Sequence, residues 1–96
     1  MAHYVALGNF TDQGVRGIKD TSKRAKAFRE MAKGLGVTVK EIYWTLGVYD
    51  LVITLDAPND EAVTSLSVKV GSLGNIKCQT LRAFGESEID SILSKV

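Results

Sequence analysis

The chain has 96 residues, with 12 Lys and Arg against 11 Asp and Glu, one histidine, one cysteine and a formal net charge of +1. That length fits one domain, residues 1–96, which buries somewhat more than roughly 60% of the surface its unfolded chain exposes, and the balance of charge leaves no field to draw in nucleic acid or anionic lipid. No apolar run approaches the roughly 20 residues of a membrane helix, the N-terminus enters a strand pattern directly, and the lone Cys78 has no internal partner, so a cytoplasmic chain with neither signal peptide nor anchor is expected.

Residues 3–10, His-Tyr-Val-Ala-Leu-Gly-Asn-Phe, are short and apolar and predict a first strand. Thr11-Asp12-Gln13-Gly14 breaks it. Thr21 is placed to cap a helix in which Ala25, Phe28, Met31, Ala32 and Leu35 recur at helical spacing. Lys23, Lys26, Arg29, Glu30 and Lys33 take its other face, and Gly34 and Gly36 end it. Residues 37–46 and 49–56 are rich in β-branched and aromatic side chains. They read as a hairpin closed by a two-residue turn at Gly47-Val48. Pro58 stops the second of these strands and Asn59 caps a second helix, with Asp60 and Glu61 at the positive end of its dipole. Ala62, Val63, Leu66, Val70 and Leu73 form its buried stripe. Residues 76–84 predict the last strand, and Ile89, Ile92, Leu93 and Val96 give the tail the spacing of a short third helix.

The resulting order, β-α-β-β-α-β, has few solutions once crossovers are right-handed. The simplest is an α+β sandwich: a four-stranded antiparallel sheet with both long helices on one face. Leu51, Val52 and Ile53 are apolar in succession, so both faces of the sheet call for cover. Two helices on one face leave the other to a second copy of the chain, and a homodimer or larger homo-oligomer is expected.

Tyr43-Trp44-Thr45-Leu46-Gly47-Val48-Tyr49-Asp50 with Ala57-Pro58, Gly71-Ser72-Leu73-Gly74-Asn75 and Thr80-Leu81-Arg82-Ala83-Phe84 closely resemble the small bacterial and archaeal GYD-domain family. Thr11-Asp12-Gln13-Gly14 and Lys19-Asp20 extend the resemblance over nearly the whole chain. It implies a ferredoxin-like fold of the dimeric α/β-barrel kind and no settled activity. Gly47, Asp50, Leu51, Val52, Thr80 and Leu81 are also similar in arrangement to the effector-binding domain of leucine-responsive and asparagine-type transcription regulators. Those domains bind amino acids between subunits, but this chain has no room for their helix-turn-helix.

The candidate site residues each have two readings. Asp50, opening an apolar strand, serves either as a base or amine-holder or as an acceptor that pins the hairpin. Tyr43, Trp44 and Tyr49 either stack on a small planar ligand or fill a sheet interface. Arg82, on an apolar strand, calls for a carboxylate, either from an anionic ligand or from Asp50 or Asp56 in an intersubunit pair. His3, the only histidine, is a general base if it reaches Tyr49 and otherwise a surface or interface residue. Asp12 and Gln13 belong either to a ligand-contacting loop or to a helix cap. One histidine, one cysteine and scattered carboxylates offer no metal-ligand spacing, and neither metal nor cofactor is expected.

Three functional readings follow. The leading one is an oligomeric accessory or regulatory module whose interface pockets, near Tyr43, Trp44, Tyr49, Asp50 and Arg82, take a small polar or anionic metabolite. The alternative is a cofactor-independent enzyme, monooxygenase- or isomerase-like, with His3, Tyr49 and Asp50 as its acid-base set. The third is a purely structural assembly protein.

Overall fold

A computed structural model describes residues 1–96, and its elements run β1 (Ala2–Phe10), α1 (Asp12–Arg16), a 3-10 turn (Ile18–Asp20), α2 (Thr21–Gly34), β2 (Thr38–Trp44), β3 (Leu51–Ala57), α3 (Asp60–Ser72), β4 (Ile76–Ala83) and α4 (Glu86–Leu93). The sheet order is β2-β3-β1-β4 with every neighbour antiparallel. Strands β1 and β2 are therefore parallel with β3 between them, and β3 and β4 are parallel with β1 between them. Crossovers of one hand then place α2 and α3 on the same face. This is the expected α+β, ferredoxin-like arrangement.

Alternation along the strands sorts the side chains. On β3, Leu51, Ile53, Leu55 and Ala57 are buried toward the helices, while Val52, Thr54 and Asp56 lie on the other face. Tyr4 and Ala6 of β1 join the buried set, which Ala32, Val63 and Leu66 complete from the helices and Val37 from the connection between α2 and β2. Helix α3 starts where Asn59 accepts a hydrogen bond from the Ala62 amide at 2.9 Å. Gly36, with φ of 74°, follows the end of α2 in a conformation that favours glycine. The face away from α2 and α3 carries Val5 and Leu7 from β1, Val52 from β3 and Leu81 from β4, aligned by the strand register.

The hairpin differs from the two-residue turn expected at Gly47-Val48. Strand β2 stops at Trp44 and β3 begins at Leu51, leaving a loop over 45–50. The reason is a set of bonds that outcompetes the ladder. The Asp50 amide donates to the Gly8 carbonyl at 2.9 Å, and its carboxylate accepts from the Phe10 amide at 2.9 Å. Thr45 donates its amide to the Asp50 carbonyl at 2.8 Å and its hydroxyl to the Tyr49 carbonyl at 2.6 Å. The Asp50 carboxylate thus pins the hairpin to β1 and not to the amides of its own turn, while the Asp50 carbonyl closes the loop on Thr45. Gly47, at φ of 104°, turns the chain at the tip.

The break after β1 is more ordered than the sequence suggests. Thr11 accepts from the Gly14 amide at 3.1 Å and caps α1, while its hydroxyl donates to the Gly74 carbonyl at 2.5 Å. Gln13 donates to the Leu73 carbonyl at 3.1 Å and to Asn75 Oδ1 at 3.0 Å. This loop is therefore clasped to the turn between α3 and β4. Gly14 sits in the clasp, where an added Cβ would stand 2.0 Å from the Asn75 carbonyl oxygen.

Helix α4 is tied down by charge. Glu88 accepts from the Gly85 amide at 3.1 Å and pairs with Arg82 at 3.1 Å. His3 Nδ1 lies 2.6 Å from Asp56 Oδ1, His3 Nε2 lies 3.7 Å from Glu88, and Lys40 stands 3.8 Å from Asp56. The hydrogen bond from the Gly85 amide, with Arg82 behind it, holds the Glu88 carboxyl below its usual range. The bond to His3, with Lys40 nearby, does the same for Asp56.

Two outcomes follow from these contacts. Gly14→Ala must move backbone, so it is expected to cost about 2 kcal/mol or more, read as a lower urea midpoint. The two depressed carboxyls contribute stability that is complete above the ordinary carboxyl range near pH ~4 and lost as pH falls through their lower folded-state values. Thermal melts between pH 7 and 3 are expected to fall less steeply for Glu88→Gln than for the wild type, and parallel curves would remove Glu88 from that account.

Candidate functional site

Helices α2 and α3 pack on the sheet more than on each other, and the gap between them is a cleft of about 120 Å³. Phe28 and Met31 of α2 form one wall, Val70 and Leu73 of α3 the other, and Leu51, Ile53 and Ile76 line it from the sheet. Its mouth carries Thr21, Arg24, Trp44 and Asn75. Trp44 comes to this side because it pairs with Leu51 at the end of β2, and its indole N-H donates to the Thr21 hydroxyl at 3.0 Å. Gly8 makes room for the sheet wall, since a Cβ there would stand 2.9 Å from Ile76 Cδ1. Cys78 also lines the cleft; the residue as a whole is exposed, and desolvation by its apolar neighbours pushes the thiol above the usual value.

The expected ligand set does not meet within one protomer. Tyr43 lies opposite Val52 on the face away from the helices and donates its hydroxyl to Glu41, a bond that holds the phenol above its usual pKa. Trp44 is in the cleft, and Tyr49 and Asp50 belong to the loop 45–50. Arg82 is at the far end of the sheet, its guanidinium 4.5 Å from the Phe84 ring centre and 5.7 Å from that of Tyr4. Its carboxylate is Glu88 of the same chain. Alternation explains the dispersal: adjacent residues 43 and 44 point to opposite faces.

The expected acid-base set is separated too. The register places His3 opposite Asp56, and Leu51, next to Asp50, opposite Gly8. At about 3.3 Å per residue along a strand, His3 and Asp50 stand roughly 17 Å apart or more. His3 instead belongs to the Asp56 and Glu88 cluster described above. Gln13 falls in the clasp at Asn75, and Asp12 sits in the first turn of α1.

Sequence reasoning missed Arg24 and Tyr4. Arg24 stands in sequence among the basic residues Lys19, Lys23 and Lys26 at the start of the helix, yet it is half-buried at the cleft and donates to the Gly14 carbonyl at 3.4 Å. Its spacing to Phe28 and Met31, i to i+4 and i+7, places it on the apolar stripe and was the signal available. Tyr4 is buried and donates its hydroxyl to Asp60 at 2.5 Å, a bond that holds the phenol above its usual value.

No helix is long and apolar enough to cross a membrane. The chain is 28% identical over 90 residues to the glutamine synthetase and cystathionine β-lyase binding protein of Thermus thermophilus, a match spanning 93% of this chain and 95% of that protein. In fold it is similar to a crystal structure of a Thermus thermophilus protein, with a TM-score of 0.56 and 23% identity over 88% of this chain and 95% of the other. Residues 4–93 match the GYD domain, and the chain belongs to the GYD-domain family.

Proposed function

We propose that the protein is an accessory module that pairs with a second copy of itself through the open face of its sheet and docks onto a partner enzyme through the loop 45–50. The observation that carries the docking reading is the loop itself. Leu46 is 102% exposed and Val48 82% exposed. Both stand on a loop whose ends are fastened by Thr45 and Asp50. Apolar side chains held out in water on a fixed frame lose little conformational freedom when a partner covers them. The Thermus relative, named for binding glutamine synthetase and cystathionine β-lyase, supports enzymes as the partner class.

Self-association rests on the other face. Val5, Leu7, Val52 and Leu81 form an apolar centre there, and Glu41, Lys77 and Gln79 stand at its rim. A two-fold axis through the sheet would bring identical apolar rows together.

The two surfaces are separately testable. Calorimetric titration of the protein against glutamine synthetase and cystathionine β-lyase from the same genome is expected to give saturable binding to at least one. Leu46→Asp and Val48→Asp are each expected to weaken it about tenfold or more, with thermal stability within about 0.5 kcal/mol of wild type because neither side chain is packed. Wild-type levels of binding in both variants would remove the loop from the interface. Light scattering is expected to report a dimer for the wild type and a monomer for Val52→Asp. A monomeric wild type at micromolar concentration would end the sheet-pairing half of the proposal.

A further inference from the structure

We infer that the cleft between α2 and α3 binds a small monocarboxylate, its carboxylate on Arg24 and its apolar body between Phe28, Met31, Ile53 and Leu73. The inference concerns a surface separate from the loop 45–50 and stands without the enzyme-docking reading. Size sets the body of the ligand. A cavity of about 150 Å³ holds a benzene ring, so the cleft of about 120 Å³ suits roughly five or six carbons, with the head group and the carbon that bears it at the mouth.

Charge sets the head group. Of the polar residues lining the cleft, Thr21 is engaged by the Trp44 indole at 3.0 Å, and Asn75 accepts from Gln13 at 3.0 Å. Arg24 is the only charged residue among the lining. It takes part in none of the chain's ion pairs, which join His3, Lys40 and Arg82 to Asp56 and Glu88. Its single protein acceptor is the Gly14 carbonyl, at 3.4 Å. A guanidinium carries five N-H donors in a fork that matches a carboxylate, and such a pair strengthens where apolar walls exclude water. One cation balances one negative charge, and no second cation lines the cleft, so a monoanion fits where a phosphate dianion does not. The guanidinium is also seated against bare backbone. A Cβ on Gly17 would lie 2.2 Å from Arg24 Nη2, so the absence of a side chain there leaves room for the group at the mouth.

The chain carries its own reporter, because its one tryptophan, Trp44, lines the cleft. The probes are hexanoate and phenylacetate, each set against its neutral amide and against inorganic phosphate. Both carboxylates are expected to change Trp44 emission saturably and raise the melting temperature. The amides are expected to bind at least about tenfold more weakly, the gap a charge-assisted pair supplies, and phosphate to leave the signal unchanged. Arg24→Gln is expected to bring each acid down to the affinity of its amide. The comparison of acid with amide needs only the wild-type protein, so it does not depend on how well the variant folds. No saturable signal with either carboxylate, equal affinity for acid and amide, a stronger response to phosphate, or an unchanged preference in a folded Arg24→Gln protein would each overturn the assignment.

Discussion

The structure depends on a constraint of handedness. Both helical crossovers leave the sheet in the same sense, so both long helices must land on one face and none is left for the other. That single rule creates two unfinished surfaces. On the uncovered side, Val5, Leu7, Val52 and Leu81 are left without a layer above them. On the covered side, α2 and α3 straddle the central strands and meet each other little, which opens the cleft along their seam. The small residues of the core mark where the layers come closest: Ala32 and Ala57 are fully buried, and neither holds the helix off the sheet.

Features governed by neighbours in sequence were legible, and features governed by distant contacts were not. Asn59 followed by Asp60 and Glu61 announces a helix start because an N-cap involves atoms only three residues apart, and the Asn59 to Ala62 bond realises it. The end of α2 at Gly34, followed by Gly36 at positive φ, is local in the same way. The hairpin tip is different. Its shape depends in part on the Gly8 carbonyl and the Phe10 amide, the latter 40 residues from Asp50 in sequence, and a propensity for a two-residue turn carries no knowledge of either. Arg82 is a further case: its direction is fixed by Glu88 on α4, whose docking the strand pattern does not encode. The aromatic cluster around 43–50 looked like one site because its residues are adjacent in sequence, but period-two alternation separates Tyr43 from Trp44 across the sheet. Conversely, Arg24 was hidden among its basic neighbours, although helical spacing already aligned it with Phe28 and Met31.

The clasp between the first loop and the turn after α3 links the two halves of the fold. Thr11 and Gln13 reach Leu73, Gly74 and Asn75, so the entry to α2 and the exit from α3 are held at one corner. Arg24 then bonds back to Gly14 within that same corner. The cleft mouth is thereby framed by this hydrogen-bonded junction and by Trp44 at the end of β2.

The loop 45–50 divides its work cleanly between backbone shape and outward side chains. Its conformation rests on main-chain atoms together with the side chains of Thr45 and Asp50 and the torsion available at Gly47. Leu46 and Val48 contribute nothing to that scaffold. Residues at those two places are therefore free to change size, charge or polarity without disturbing the hairpin, so the outward chemistry of the tip can vary on this frame while folding is left untouched.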